Sequence, residues 1–150
     1  MEQIRPQSRI MVMGVGGCGG NAVSYLGPDD LPEMVTTVAL NTDVAALADC
    51  HAGECLALGP QTTRGYGAGS DPEVGRDACI ESEEALQVLL QQADILFLVA
   101  GLGGGTGTGP VQSWRGWHVS ISFRVLLLPH CRLSLRGRSA VNTLKPGWRR

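Results

Sequence analysis

Residues 93–109 read ADILFLVAGLGGGTGTG, and this stretch decides the fold. Its first part, Ala93–Ala100, is a continuous apolar run of strand length. It lacks the alternation of a sheet with one wet face, so it predicts a strand buried on both sides. The loop Gly101-Leu102-Gly103-Gly104-Gly105-Thr106-Gly107-Thr108-Gly109 follows at once. Glycines admit positive φ and let backbone N–H groups approach an anion with no Cβ in the way. The hydroxyls of Thr106 and Thr108 add donors between the amides, which suits a doubly or triply charged phosphate chain. The loop is not a Gly-x-x-x-x-Gly-Lys-Ser/Thr motif and contains no lysine. A polyphosphate held there would be neutralised by amides, helix dipoles and a metal ion.

The same arrangement recurs near the start of the chain. Arg9–Gly14 (RIMVMG) is a second short apolar run, followed by Gly14-Val15-Gly16-Gly17-Cys18-Gly19-Gly20-Asn21 and a helix expected over Asn21–Leu26. Gly14-x-Gly16-x-x-Gly19 also satisfies the dinucleotide fingerprint, with Asp43 placed after the next strand to hold a ribose. The competing reading of the glycines is a tight strand–helix turn. Between the two loops, Met34–Leu40 predicts a β-branched strand that stops at Asn41-Thr42-Asp43. Val44–Asp49 reads as a short helix, Glu54–Leu58 as a short strand and Pro60–Asp71 as loop. Asp71 and Pro72 start a helix expected over Glu73–Gln91, with Val74, Ala78, Ala85, Leu86, Leu89 and Leu90 as its core positions. Strand, glycine loop and helix, repeated, imply an α/β fold: a Rossmann-like parallel sheet with both glycine loops at its carboxyl edge. The intervening TRGYGAGSDPEVG (residues 63–75) is either a surface loop leading into a helix or a lid. As a lid, its Gly67-Ala68-Gly69 amides reach a terminal phosphate from a third side.

Composition bounds these readings. The chain has 150 residues, one domain's worth and enough to bury a core. No apolar run approaches the roughly 18 residues of a membrane span, and no basic-apolar-small leader is present. Five cysteines without close spacing argue against a disulfide scaffold and fit a reducing cytosol. The net charge of −2 hides a sharp division. All 14 acidic residues lie in residues 1–109 with only four arginines, whereas residues 110–150 hold eight basic residues and no acid. The three tryptophans also fall in that tail. In composition alone the tail looks like a basic nucleic-acid arm.

The runs IMVMGVGGCGGNAV, LNTD, TRGYGAGSDPEVG and AGLGGGTGTG together resemble the N-terminal GTP-binding domain of the tubulin/FtsZ family, in its bacterial cell-division branch. The resemblance covers about residues 9–109 in the family's order. It implies an incomplete tubulin/FtsZ GTPase domain that binds GTP or GDP with Mg²⁺. In the family such domains polymerise head to tail into filaments and meet division-site proteins in the cytoplasm, without inserting into the membrane or binding nucleic acid. Carried over residue by residue, the nucleotide site comprises Gly16, Gly17, Cys18, Gly19, Gly20, Asn21, Asn41 and Asp43. Gly67, Ala68 and Gly69 face the terminal phosphate, and Gly103, Gly104, Gly105, Thr106, Gly107, Thr108 and Gly109 form the signature loop. Cys18 stands where the family has another small residue and reads as packing rather than as a nucleophile. The family's catalytic acids lie on a later loop and act on the neighbouring subunit's nucleotide. That loop, the ribose-contacting Phe-Glu-Gly-x-x-Arg segment and the central helix have no counterpart in residues 110–150, so no catalytic residue is assigned and hydrolysis is expected to be lost.

The resemblance also gives the tail an origin. Codons assembled from the third base of one residue and the first two of the next force alanine across Trp117/His118 and leucine across His130/Cys131. Residues 109–118 then permit Ala-(Ser/Gly)-Pro-Val-Val-Ala-Arg-Leu-Ala, close to the family's continuation. Residues 129–137 permit Thr-Leu-Pro-Phe-x-Phe-Glu-Gly. The expected organisation is therefore a partial GTP-binding domain over residues 1–109 and a tail, residues 110–150, read out of frame after loss of one nucleotide near the Gly109 codon. Two other outcomes stay open from sequence: an NAD-type dinucleotide-binding domain, and a non-functional frame-shifted product. Val125–Leu128 is apolar enough to pair as a strand by accident.

Overall fold

The structure is a computed structural model that describes residues 8–27, 29, 31–113 and 122–129. Its strands are β1 (Ile10–Val15), β2 (Val35–Asn41), β3 (Glu54–Ala57), β4 (Ile95–Leu102) and β5 (Ser122–Pro129). The helices are α1 (Gly16–Leu26), α2 (Val44–Ala48), α3 (Pro72–Glu81), α4 (Glu83–Leu90) and α5 (Gly105–Ser113). All strand pairs are parallel and the order is β3-β2-β1-β4-β5. The chain thus winds outward from β1 to β3, then returns to place β4 on the other side of β1. The carboxyl ends of β1 and β4 flank the point where the winding reverses, the place where open α/β sheets bind ligands.

Each half of the sheet follows from its side chains. Met11, Met13 and Val15 of β1, Val38 and Leu40 of β2, and Leu96, Leu98 and Ala100 of β4 face one side and pack with Ala78, Cys79, Leu86, Leu89 and Leu90. At ~25 cal/mol per Å² of apolar surface removed from water, this layer is the main favourable contribution to folding. The opposite side is covered by α1, whose Val23 is fully buried. That cover is incomplete, since Val12 is half-buried and Phe97 is 40% exposed. At the amino edge the Arg9 backbone N–H donates to Asp94 Oδ2 at 2.7 Å, and the Arg9 guanidinium lies 3.3 Å from Oδ1. Those hydrogen bonds from Arg9 hold the Asp94 carboxyl below its usual range.

Three expectations shift. The helix after the first glycines begins at Gly16 rather than Asn21, so the glycine run is itself helical. The helix expected over Glu73–Gln91 is two helices that meet at Ser82. Ser82 is buried, and its Oγ accepts from the Gly59 N–H at 2.9 Å, which draws the helix off its axis to hold the preceding loop. Within this pair Ala85 is exposed and Val74 half-buried, whereas Cys79 and Gly75 are buried. In the tail, Ser122–Pro129 pairs with β4 from Ile95↔Ser122 to Leu102↔Pro129, extending the apolar segment seen in the sequence. The remaining tail features lie outside the described residues.

Candidate functional site

The site is assembled by register. Val15 pairs with Ala100, so β1 and β4 end level and their glycine turns leave the sheet side by side. The first turn enters α1 at Gly16, whose φ of 71° needs a residue without a Cβ. The second turns at Gly103, with φ 107°, and enters α5 at Gly105. Both helix N-termini, with their positive dipole ends, therefore border one cleft. Helices α2 and α3 contrast with this. Asp43 caps α2, its Oδ1 accepting from Ala45 N at 2.9 Å, and Asp71 caps α3 by accepting from Glu73 N at 2.9 Å. No side chain caps α1, and its first turn holds no acid. Donors left open at a cleft are what an anion requires.

The two turns border a cleft of about 770 Å³. Gly16, Gly17 and Cys18 line it from the first turn, and Gly103, Gly104, Gly105, Thr106 and Gly107 line it from the second. Asn41, Thr42 and Asp43 close one side, and Tyr66, Gly67, Gly69 and Ser70 another. A smaller cleft of about 240 Å³ adjoins it, sharing Gly17, Asn41 and Ala46 and adding Gly20, Asn21 and Cys50. Across the larger cleft the hydroxyls of Thr42 and Thr106 share a hydrogen bond of 2.6 Å, tying the end of β2 to the second turn. The third wall is held from below. Glu81 accepts from Gln61 N at 2.8 Å, Thr62 N at 2.9 Å and Thr62 Oγ1 at 2.7 Å, and these bonds lower its pKa, the Thr62 hydroxyl contributing most. Thr63 Oγ1 donates to the Gly59 carbonyl at 2.9 Å, and Gly67 N donates to the Thr42 carbonyl at 3.1 Å.

Four residues expected in the site serve it from behind. Gly19 packs against the Val99 carbonyl, where a Cβ would collide. Ala68 is buried, in the space beside Gly105. Thr108 Oγ1 accepts from Gly103 N at 3.0 Å and shapes the second turn. Gly109 lies against Pro72 and Arg76, again with no room for a Cβ. The sequence reading missed Thr42, Tyr66 and Ser70. Thr42 was legible as the middle of Asn41-Thr42-Asp43. Ser70 carries a φ of 65°, a conformation no motif announced. Among the described residues no three His, Cys, Asp or Glu side chains gather as a metal site. The hydroxyls of Thr42 and Thr106 and the Asp43 carboxylate are hard oxygen donors beside the cleft. They fit a Mg²⁺ held mostly by phosphate oxygens and water rather than a protein cage.

Comparison with known proteins gives one answer. Residues 9–112 match the model of the Tubulin/FtsZ family, GTPase domain. The cell division protein FtsZ of Pseudomonas aeruginosa is 45% identical over 109 residues, covering 73% of this chain and 27% of that protein. That of Azotobacter vinelandii is 46% identical over 105 residues, covering 69% and 26%. An empty FtsZ dimer from M. jannaschii superposes with a TM-score of 0.65 at 40% identity, over 69% of this chain and 30% of that one. CetZ2 from Haloferax volcanii, solved as a GTPγS-bound protofilament, gives 0.67 at 30% identity over 79% and 39%. The chain spans about a quarter of the length of the FtsZ relatives it matches.

Proposed function

The chain belongs to the tubulin/FtsZ family, and on that premise we propose that it is a guanine-nucleotide-binding N-terminal part of a cell-division GTPase. One observation carries the reading: the N-termini of two helices, α1 and α5, meet at a single cleft at the switch point between β1 and β4. The polyphosphate of GTP or GDP lies between them. Backbone N–H groups around Gly17 and Gly104 bind its oxygens, and each helix N-terminus adds about 0.3–1 kcal/mol of charge–dipole attraction. Asn21 and Asn41, in the adjoining smaller cleft, supply amides to the nucleoside. Gly67 and Gly69 approach the terminal phosphate from the third wall. Mg²⁺, where bound, screens the phosphate charge that no lysine offsets, beside Thr42, Thr106 and Asp43.

The activity of the longer relatives is a separate matter. Their filaments, and contacts with division-site proteins in the cytoplasm, need surfaces that residues 9–112 supply only in part. No carboxylate here is assigned to orient an attacking water, so this chain binds nucleotide without turning it over. Residues 110–150 are read as an out-of-frame continuation. Sequencing the gene across the Gly109 codon tests this, and an intact frame with no family continuation in the neighbouring frame rejects it. An NAD-type domain is disfavoured by the second glycine turn and by the match of residues 9–112 to the tubulin/FtsZ GTPase domain.

Equilibrium titration of the chain with fluorescent GDP and GTP, with NAD as the comparison, tests the reading. Saturable binding of guanine nucleotide, competed by unlabelled GDP and not by NAD, is expected. Binding of NAD alone overturns it.

A further inference from the structure

The third wall of the larger cleft is strapped along one helix. Between Arg64 and Ser70 the backbone turns through positive φ repeatedly, and two of those angles, 52° at Arg64 and 65° at Ser70, fall on residues that carry a Cβ. Backbone of that kind persists only where its surroundings fix it. Both anchors lie at the ends of α3. At its amino end Asp71 N donates to the Ala68 carbonyl at 2.9 Å, and the Asp71 carboxylate caps the helix. At its carboxyl end the Glu81 carboxylate accepts from Gln61 N, Thr62 N and the Thr62 hydroxyl, and Ser82 Oγ accepts from Gly59 N. The strap then turns on buried Thr63. Thr63 Oγ1 lies 3.2 Å from the Thr42 carbonyl oxygen, which also accepts from Gly67 N at 3.1 Å. The Thr63 carbonyl accepts from Tyr66 N at 3.0 Å. Glu81 therefore bonds the chain one residue before Thr63, and Thr63 bonds the wall itself. Glu81 is not among the residues that line either cleft.

We propose that Glu81 is a positioning residue: by holding Gln61 and Thr62 it keeps Gly67 and Gly69 placed to favour a nucleoside triphosphate over a diphosphate. The preference rests on the function proposed above, whereas the hold on the wall does not. In that reading Gly17 and Gly104 meet phosphates of either nucleotide, and the wall meets the end of the longer chain. A wall that relaxes from its positive-φ conformation has to be re-formed when the triphosphate binds. The free energy of re-forming it is subtracted from triphosphate affinity and leaves diphosphate affinity alone. By linkage, the third phosphate tightens the same hydrogen bonds that Glu81 supplies.

The test compares the whole chain with Glu81→Gln and with Glu84→Gln, which makes the same charge change at an exposed acid of α4. Each is titrated with GDP and with the β,γ-imido analogue of GTP, and amide exchange is read without nucleotide. Glu81→Gln should weaken the triphosphate roughly fivefold or more, within the usual span of coupling between sites, and leave GDP within about twofold. Exchange should quicken at Tyr66 and Gly67 as well as at Gln61 and Thr62. Glu84→Gln should change neither reading, and equal changes there overturn the assignment to Glu81. Equal weakening of both nucleotides, or of neither, overturns the positioning role. Quickening confined to Gln61 and Thr62 shows a local cap and overturns the hold on the wall. The unsubstituted chain gives a second reading: the triphosphate analogue should slow exchange at Gln61 and Thr62 more than GDP does, and equal slowing overturns the coupling. If that chain binds neither nucleotide, the nucleotide reading falls, and exchange at Tyr66 and Gly67 still decides whether Glu81 holds the wall.

Discussion

The two glycine turns leave the same sheet edge and face the same cleft, yet their glycines answer to different neighbours. In the first turn the constraint comes from its own strand–helix unit and from the adjacent strand β4. A Cβ on Gly14 would strike the Gly19 carbonyl, and one on Gly19 would strike the carbonyl of Val99. In the second turn the neighbour is a helix from elsewhere in the chain. Gly75 of α3 meets the backbone of Gly105, and Gly109 meets that of Pro72 and Arg76. Each turn keeps one glycine, Gly17 or Gly104, with nothing within 4 Å of its missing Cβ. Glycine content alone therefore conflates packing with binding. The second turn is also mechanically joined to α3, which carries the third wall of the cleft.

The largest effect should come from filling the packed positions. Gly19→Ala and Gly75→Ala should each lower the urea unfolding free energy by about 3 kcal/mol, because backbone rather than a flexible side chain must move. The two should then part company. Gly75→Ala should speed tryptic cleavage at exposed Arg64 beyond what its loss of stability explains, and Gly19→Ala should not. Equal cleavage would break the distinction between the turns.

Filling the open positions should do the reverse. Gly17→Ala and Gly104→Ala should weaken GDP binding roughly tenfold, the scale of one hydrogen bond to a charged group. Gly17 lies inside α1, so its replacement should leave stability unchanged or raise it by about 0.5–1 kcal/mol. Stability falling in step with affinity would sink the assignment of these two glycines to the ligand.

A smaller effect should follow from Thr106→Val, which removes the hydroxyl partner of buried Thr42. A loss of about 1 kcal/mol is expected in thermal unfolding, with Thr42→Val in the same background adding little. Full additivity of the two would mean that the hydroxyl bond is not the coupling between β2 and the second turn.

The least effect concerns the third wall and pH. The folded-state pKa of Glu81 is lowered, so its hold on Gln61 and Thr62 is complete above the ordinary carboxylate pKa and is lost as pH falls through the lowered value. Amide exchange at Gln61 and Thr62, corrected for intrinsic rates, should accelerate in that acidic window. Glu81→Gln should show the faster exchange already at neutral pH.

Much of this was legible in the chain. The buried strands ending in glycine showed themselves through apolar runs too continuous for a half-wet sheet, and their boundaries moved by only one or two residues. The start of α1 was not legible, because four glycines at about 1 kcal/mol each oppose a helix by intrinsic propensity. Close approach to β1 and β4 overrides that preference, and approach is a property of the assembled sheet. The break at Ser82 escaped for a similar reason. Apolar spacing continues through it, and only the buried Gly59 N–H explains why a serine turns the helix there. Thr42 and Thr106 are 64 residues apart, and nothing local to either foretells their contact.

The register Val15↔Ala100 has a consequence for how the molecule comes into being. The strands whose ends make the cleft are neighbours in space but are separated in the chain by β2, β3 and four helices. Closing so long a loop costs entropy before any contact returns it, so β1–β4 pairing belongs to the late, slow part of folding. During synthesis the first glycine turn leaves the ribosome well before its partner exists. An early intermediate built from β1, α1, β2 and β3 would carry half a cradle, with one edge of β1 open until β4 arrives to cover it.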